Sequence, residues 1–219
     1  MPNLAHLSSL DLQELIRKHS KIRFSSGDVV QESSDTRFAC YYIESGILKV
    51  FWLDEYGAEV VLFLIGPGEL IINKISSFSG FYNLSISALT NSTLIPICRD
   101  TLKDLLTNDI AFLSDLLRLQ NQYLTITSDR FRKDQSDAMN KVLAAIAYMA
   151  SKWPFSDNNI DFIKEIGHQQ CAIIANVARE TFTRNLIKLK ERNYIRTDDK
   201  GRIYLTEKAF QRIQQTYGD

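Results

Sequence analysis

The chain reads as an α+β protein in three successive parts: a run of short strands folded as a sandwich or barrel, one long helix, and a helix-turn-helix with a hairpin wing. Three observations predict this. A long section after the first twenty residues is dense in β-branched and aromatic residues broken by glycine turns. Near Asp100 the hydrophobic period changes from about two to about 3.6. Lastly, "NVARETFTRNLIKLKERNYI", Asn176 to Ile195, is an amphipathic helix pattern that gathers Arg179, Glu180 and Arg184 in a sector of about 140°, away from Phe182, Leu186 and Leu189.

Composition sets the frame. With 219 residues, 45% hydrophobic and 24% charged, the chain can bury a real core as one large or two small domains. Its 26 basic and 26 acidic side chains cancel, so the whole offers no general attraction to polyanions. The charge is uneven, however: Ile163 to Asp219 holds 11 Lys or Arg against 7 Asp or Glu, which places any polyanion at the C-terminal part. Cys40, Cys98 and Cys171 are odd in number and widely spaced, which suggests neither a disulfide framework nor a zinc knot. All three are expected to be reduced, buried thiols. "MPNLAHLSSLDLQEL" lacks the basic start and apolar core of a signal peptide, and no stretch approaches the roughly 20 apolar residues of a membrane span. A cytoplasmic location and no membrane partner are expected.

In chain order, a short helix is expected over Leu4 to His19. The segments "IRFSSGDVV", "FACYYIESGILKVFWL", "AEVVLFLI" and "LSISALTNSTLIPI" follow as strands, separated by turns at Ser26-Gly27-Asp28, Ser45-Gly46, Tyr56-Gly57 and Gly66-Pro67-Gly68. From Ile110 to Phe131, the positions Ile110, Leu113, Leu117, Gln120, Leu124, Thr127 and Phe131 advance by alternating steps of three and four, as in a coiled-coil seam. Periodicity alone equally allows a helix packed on its own domain. The polar seam residues Gln120 and Thr127 favour a pairing helix, because such residues fix register and oligomer state. A further helix, Met139 to Trp153, leads through Pro154 and "SDNN" to the C-terminal part.

There, "GHQQCAIIANVARETFTRNLIKLKERNYI" divides into a short helix, a break and a longer helix. Ala172 is small enough for two helices to cross closely, and Asn176 stands where a residue tolerating positive φ is needed. "YIRTDDKGRIYL" then gives two strands around Asp199-Lys200-Gly201, a wing with Lys200 and Arg202 at its tip. Arginine donates two hydrogen bonds to guanine O6 and N7, and glutamate accepts from cytosine N4. Arg179, Glu180 and Arg184 therefore form a base-reading set near the N-terminal end of a recognition helix.

These features resemble the family of the cyclic AMP receptor protein and the fumarate-nitrate regulator (CRP/FNR), bacterial transcription regulators, over almost the whole chain. "SSGDVVQESSDTRFACYYIESGILKV" is similar to the opening of the family's β-roll, "GPGEL" to the start of its nucleotide-binding cassette, and "RETFTR" to its recognition-helix core. The resemblance implies a double-stranded β-helix sensor over residues 1–108, a dimerisation helix over 109–134 and a winged helix-turn-helix over 135–219. It also implies a homodimer on an inverted repeat of TGTGA-like half-sites, contact with RNA polymerase, and His168, Gln169 and Thr181 against the phosphate backbone. The wing cations Lys200 and Arg202 join that backbone set. Two departures stand out. Ala178 occupies the place of a helix-capping serine, and Asn185 that of an apolar packing residue.

In cyclic-nucleotide-binding relatives the cassette supplies a glutamate for the ribose and an Arg-Ser pair for the phosphate. Here Glu69 fits the glutamate, and Thr127-Ser128 resembles the pair that touches the base. The Arg-Ser pair is replaced by Tyr82 and Asn83, which offer only neutral donors, and Lys74 lacks a guanidinium's bidentate geometry. The expected effector is therefore a small molecule other than cyclic AMP, or none. Iron–sulfur and haem sensing are not expected: three scattered cysteines cannot supply a four-thiolate cluster, and His6, His19 and His168 lie outside the strand region. Pro2 resembles a haem ligand of one branch of the family but lacks its partners. Oxidation at Cys40 or Cys98 stays open. Enzyme motifs are missing: the strands hold no His and carboxylate set of a metal-dependent barrel, and the chain has no P-loop, dinucleotide motif or nucleophile triad. Two alternatives stand beside the main reading, a true cyclic AMP-responsive regulator and a cyclic-nucleotide-binding-like module acting on a protein partner.

Overall fold

The computed structural model describes residues 16, 20–31, 40–72, 84–133, 137–152, 162–199 and 203–217. The chain divides into two compact units, one of residues 1–52 and 62–127, the other of 53–61 and 128–219. The expected helix Leu4 to His19 lies outside the described residues except for Ile16, which is helical.

The first unit is built on short strands: β1 (Ile22–Phe24), β2 (Val29–Gln31), β3 (Cys40–Ser45), β4 (Leu48–Leu53), β5 (Glu59–Ile65), β6 (Leu70–Ile72), β7 (Ser85–Ala88) and β8 (Ser92–Ile97), except that Leu53 and the first three residues of β5 fall in the second. They form two four-stranded sheets, ordered β1-β8-β3-β6 and β2-β7-β4-β5, in which β4 and β5 are consecutive in sequence and the other neighbours are far apart in it. The central register pairs Cys40 with Ile97, Tyr42 with Ile95 and Ile43 with Leu94, all antiparallel. The turn between β3 and β4 demands glycine: Gly46 has φ of 89°, and a Cβ there would sit 2.1 Å from the Ser92 Oγ and 2.6 Å from the Asn91 carbonyl oxygen.

Two helices complete this unit's core. In α1 (Arg99–Asn108), Leu102 and Leu105 are buried. The next helix, α2 (Ile110–Lys133), starts at Asp109, whose Oδ1 accepts the Phe112 N–H at 2.9 Å. Phe112, Leu116, Leu119 and Tyr123, spaced by four, three and four, enter the same apolar cluster as Leu48, Val50, Ile86 and Ile97. Another stripe of the same helix points outward, with Ile110 82%, Leu117 58% and Leu124 66% exposed.

The second unit contains α3 (Ala138–Lys152), α4 (Phe162–Ala175), α5 (Arg179–Glu191), the strands β9 (Ile195–Thr197) and β10 (Ile203–Leu205), and α6 (Glu207–Tyr217). Trp153, at the expected end of α3, lies outside the described residues. The buried face of α3 is Val142, Leu143, Ile146 and Met149. Gly167, at φ 77° and ψ 163°, breaks α4 into two helical pieces. The α5 pattern runs on to Ile195 in sequence, but the helix stops at Glu191. Asn193 turns left-handed at φ 57°, the Tyr194 N–H reaches back to the Leu189 carbonyl at 2.9 Å, and Ile195 begins β9. Strand β9 pairs with β10 in the order Ile195 with Leu205, Arg196 with Tyr204 and Thr197 with Ile203.

Candidate nucleic-acid interface and effector pocket

The piece of α4 after Gly167 and the whole of α5 form a helix-turn-helix. At the turn, Asn176 adopts φ of 51°, as its placement in the sequence anticipates. Its N–H donates to the Ile173 carbonyl, and the Val177 N–H to the Ala172 carbonyl, both at 3.1 Å. Ala172 itself is 1% exposed, the close-packed position that a larger side chain would force open. Phe182, Leu186 and Leu189 are buried, which fixes the rotation of α5 and leaves Arg179, Glu180 and Arg184 exposed on its other side.

Ala178 is the N-cap residue of α5, at φ −65° and ψ 149°, and contributes no side-chain cap hydrogen bond. The Ala178 side chain therefore satisfies none of the first-turn N–H groups at the end where Arg179 and Glu180 stand, and the Glu180 carboxylate complements the positive end of the helix dipole. Lys188 and Lys190 complement the other end. Asn185 is buried, and its Nδ2 donates to the Thr181 carbonyl at 2.8 Å. That bond satisfies a polar group where an apolar one was expected and engages the backbone of a residue assigned to phosphate contact.

Of the expected backbone-contacting residues, Gln169 is exposed, while Thr181 and His168 are half-buried. The ring of His168 packs edge-on against Phe182 with centroids 5.8 Å apart, and its Nδ1 lies 2.9 Å from the Thr183 Oγ1. It thus pins the start of the first helix to α5. This tie was missed in the sequence, where fifteen residues separate the partners; the Thr183 hydroxyl facing back from the helix was its only signal. Lys200 and Arg202 lie outside the described residues. Within the wing, the Tyr204 hydroxyl donates to the Asp198 Oδ2 at 3.0 Å.

In the first unit, Glu69 is 1% exposed. Its Oε2 accepts the Gly66 N–H at 2.8 Å and the Tyr123 hydroxyl at 3.3 Å, while Tyr123 stacks on Phe63 with ring centroids 4.4 Å apart. The carboxylate thereby closes the Gly66-Pro67-Gly68 turn and ties it to α2. Lys74, Tyr82 and Asn83, the other expected pocket residues, lie outside the described residues, as does the side chain of Thr127; Ser128 is exposed. Phe131, last of the seam, also falls among the side chains not described.

The cysteines correct one expectation. Cys40 and Cys171 are buried, and burial pushes both thiols up to about 12. Cys98 is exposed instead, at the N-cap of α1 just after the end of β8. Its sulfur lies 3.0 Å from the Thr101 Oγ1, and hydrogen bonds from Thr101 hold its pKa below the ordinary thiol value. Among the described residues, no group of three His, Cys, Asp or Glu side chains is placed to hold a metal ion, and no helix is long and apolar enough to cross a membrane.

The sequence pattern of the cyclic nucleotide-binding domain matches residues 21–109. No curated protein sequence matches the chain. Among solved structures, FixK2 from Bradyrhizobium japonicum superposes with a TM-score of 0.73 at 14% identity, over 90% of this chain and 96% of its own. The c-di-GMP-responsive global regulator CLP from Xanthomonas campestris has a TM-score of 0.66 at 16% identity, over 89% and 97%. A CRP/FNR-family transcriptional regulator from Thermus thermophilus has 0.63 at 21% identity, over 91% and 100%. Residues 21–109 thus match the cyclic nucleotide-binding domain, and the chain has the fold of CRP/FNR regulators along about nine-tenths of its length.

Proposed function

We propose that this chain, with the fold of CRP/FNR regulators, is a transcription regulator that binds double-stranded DNA as a homodimer and has no catalytic role. One observation carries the reading: Arg179, Glu180 and Arg184 are exposed together on α5, whose opposite side is held by buried Phe182, Leu186 and Leu189 within a helix-turn-helix. Arginine and glutamate at the N-terminal end of such a helix match guanine and cytosine edges in the major groove. His168, Gln169, Thr181, Lys200 and Arg202 contact the phosphates in this reading, and RNA polymerase is the protein partner. The protein works in the cytoplasm.

The exposed stripe of α2 supports the dimer. Ile110, Leu117 and Leu124 recur every seven residues, while Leu113 and Gln120 lie on the same seam, continued in sequence by Thr127 and Phe131. The helix packs on its own unit through a different set of residues, so the seam is left for a second copy. A two-fold dimer reads an inverted repeat, here with TGTGA-like half-sites. In this mechanism events in the β-roll shift the two α2 helices and reset the spacing of the recognition helices.

The effector reading follows the chemistry of the cassette. Glu69, Lys74, Tyr82, Asn83, Thr127 and Ser128 form the candidate pocket, and a small effector other than cyclic AMP, or none, suits a set without a buried guanidinium. The hydrogen bonds of Glu69 to Gly66 and Tyr123 favour a structural role for its carboxylate. The match of residues 21–109 to the cyclic nucleotide-binding domain supports the second reading, a cyclic AMP-responsive regulator. Fluorescence anisotropy on a TGTGA inverted repeat and a scrambled duplex, with and without cyclic AMP, tests both. Preference for the repeat without nucleotide supports the first reading; preference only with nucleotide supports the second. A protein that ignores DNA but binds the nucleotide would instead be a module acting on a protein partner.

A further inference from the structure

We propose that Ile187 recognises the C5-methyl group of a thymine and so adds an apolar contact to the base-reading set; the inference rests on the DNA-binding function proposed above. Ile187 is 54% exposed, although its neighbours Leu186 and Leu189 are buried and already complete the packing of α5. At about 100° per residue, Glu180, Arg184 and Ile187 fall within about 60° of one another on the helix surface. Single exposed apolar side chains are ordinary on protein surfaces. This one differs by its place, in the middle of the stripe that carries the base readers and with exposed Lys188 beside it.

The physical preference is specific. Among the four base edges in the major groove, only thymine offers an apolar group, its methyl, and covering it removes two apolar surfaces from water at once. Isoleucine is nearly fixed at χ1 in a helix, so little rotamer freedom is lost on contact. Three residues beyond Arg184 correspond to about 4.5 Å along the helix, slightly more than the rise of about 3.4 Å between base pairs. The thymine therefore belongs to the pair next to the one read by Arg184, on the side away from the Arg179 pair.

The test uses the full chain and an operator that it selects itself from a randomised inverted-repeat library. Each thymine of a half-site is replaced in turn by deoxyuridine, which lacks only the methyl, and affinity is measured by anisotropy for the native chain and for Ile187→Ala. At one thymine per half-site, the native chain should lose about fourfold in affinity, the effect of one methyl-sized group leaving its contact. Ile187→Ala should bind the thymine duplex about as weakly and lose nothing further with uridine there. Uridine without effect at every position, or with equal effect in both proteins, overturns the assignment while sequence selection stands. Enrichment of no sequence at all would overturn the DNA reading itself, and this inference with it.

Discussion

Leu116 and Leu117 are adjacent in α2 and point to opposite consequences. Leu116 is 5% exposed in the core cluster of the first unit, whereas Leu117 is 58% exposed on the seam. Full burial of a leucine side chain is worth about 1.5–3 kcal/mol, so covering the exposed share of Leu117, less what alanine retains, is worth about 1 kcal/mol per protomer. A two-fold interface counts it twice. Leu117→Ala should then weaken the dimer by about 2 kcal/mol, or about thirtyfold in Kd. Its thermal unfolding, extrapolated to low concentration where only protomers are present, should match the native chain. Leu116→Ala should instead remove about 2–5 kcal/mol of protomer stability. Analytical ultracentrifugation over a concentration series, beside calorimetry, separates the two effects. Unchanged association in Leu117→Ala, with Ile110→Ala and Leu124→Ala equally silent, would refute the assignment of this stripe to self-pairing.

Further outcomes follow from α5 and the cysteines. Arg179→Ala and Arg184→Ala should each cost about 1–3 kcal/mol on the preferred site and relax sequence preference, measured by competition with single-pair operator variants. Equal losses on random DNA would assign these side chains to phosphate instead. Ala178→Ser supplies the cap that α5 lacks and should raise stability by about 1 kcal/mol in denaturant titration, with half-site preference unchanged. Iodoacetamide should label Cys98 first, at a rate already rising with pH below the ordinary thiol range, because Thr101 favours its thiolate; Thr101→Val should slow it. Mass spectrometry of the folded protein should find Cys40 and Cys171 unmodified at neutral pH, with thiols pushed up to about 12.

Legibility in the sequence followed periodicity and turn chemistry. Glycine turns such as Gly46 and the left-handed Asn176 were visible because few residues tolerate those conformations. The strand pairing was not, since β1 joins β8 and β3 joins β6 and β8, contacts set by distant packing. The seam of α2 was readable as a heptad, yet the same helix also carries Phe112, Leu116, Leu119 and Tyr123 into the core, a second stripe that the seam obscured. The end of α5 is hidden in the sequence because "ERNY" keeps a helical charge pattern, whereas the helix ends at Glu191 and Asn193 turns left-handed. Glu69 stood out as a candidate ligand, but its bonds to Gly66 and Tyr123 depend on a long-range approach of the turn to α2. The exposure of Cys98 is illegible for the same reason: a cysteine following a strand carries no mark of which side faces water.

In the proposed function two symmetric α5 helices read guanine edges in the major groove. Methylation interference at guanine N7 and adenine N3, on the operator the protein selects, tests it most directly. N7 methylation should block binding at guanines related by two-fold symmetry in both half-sites, and Arg184→Ala should remove the interference at one guanine of each. Interference confined to minor-groove adenines, or to a single half-site, would contradict it.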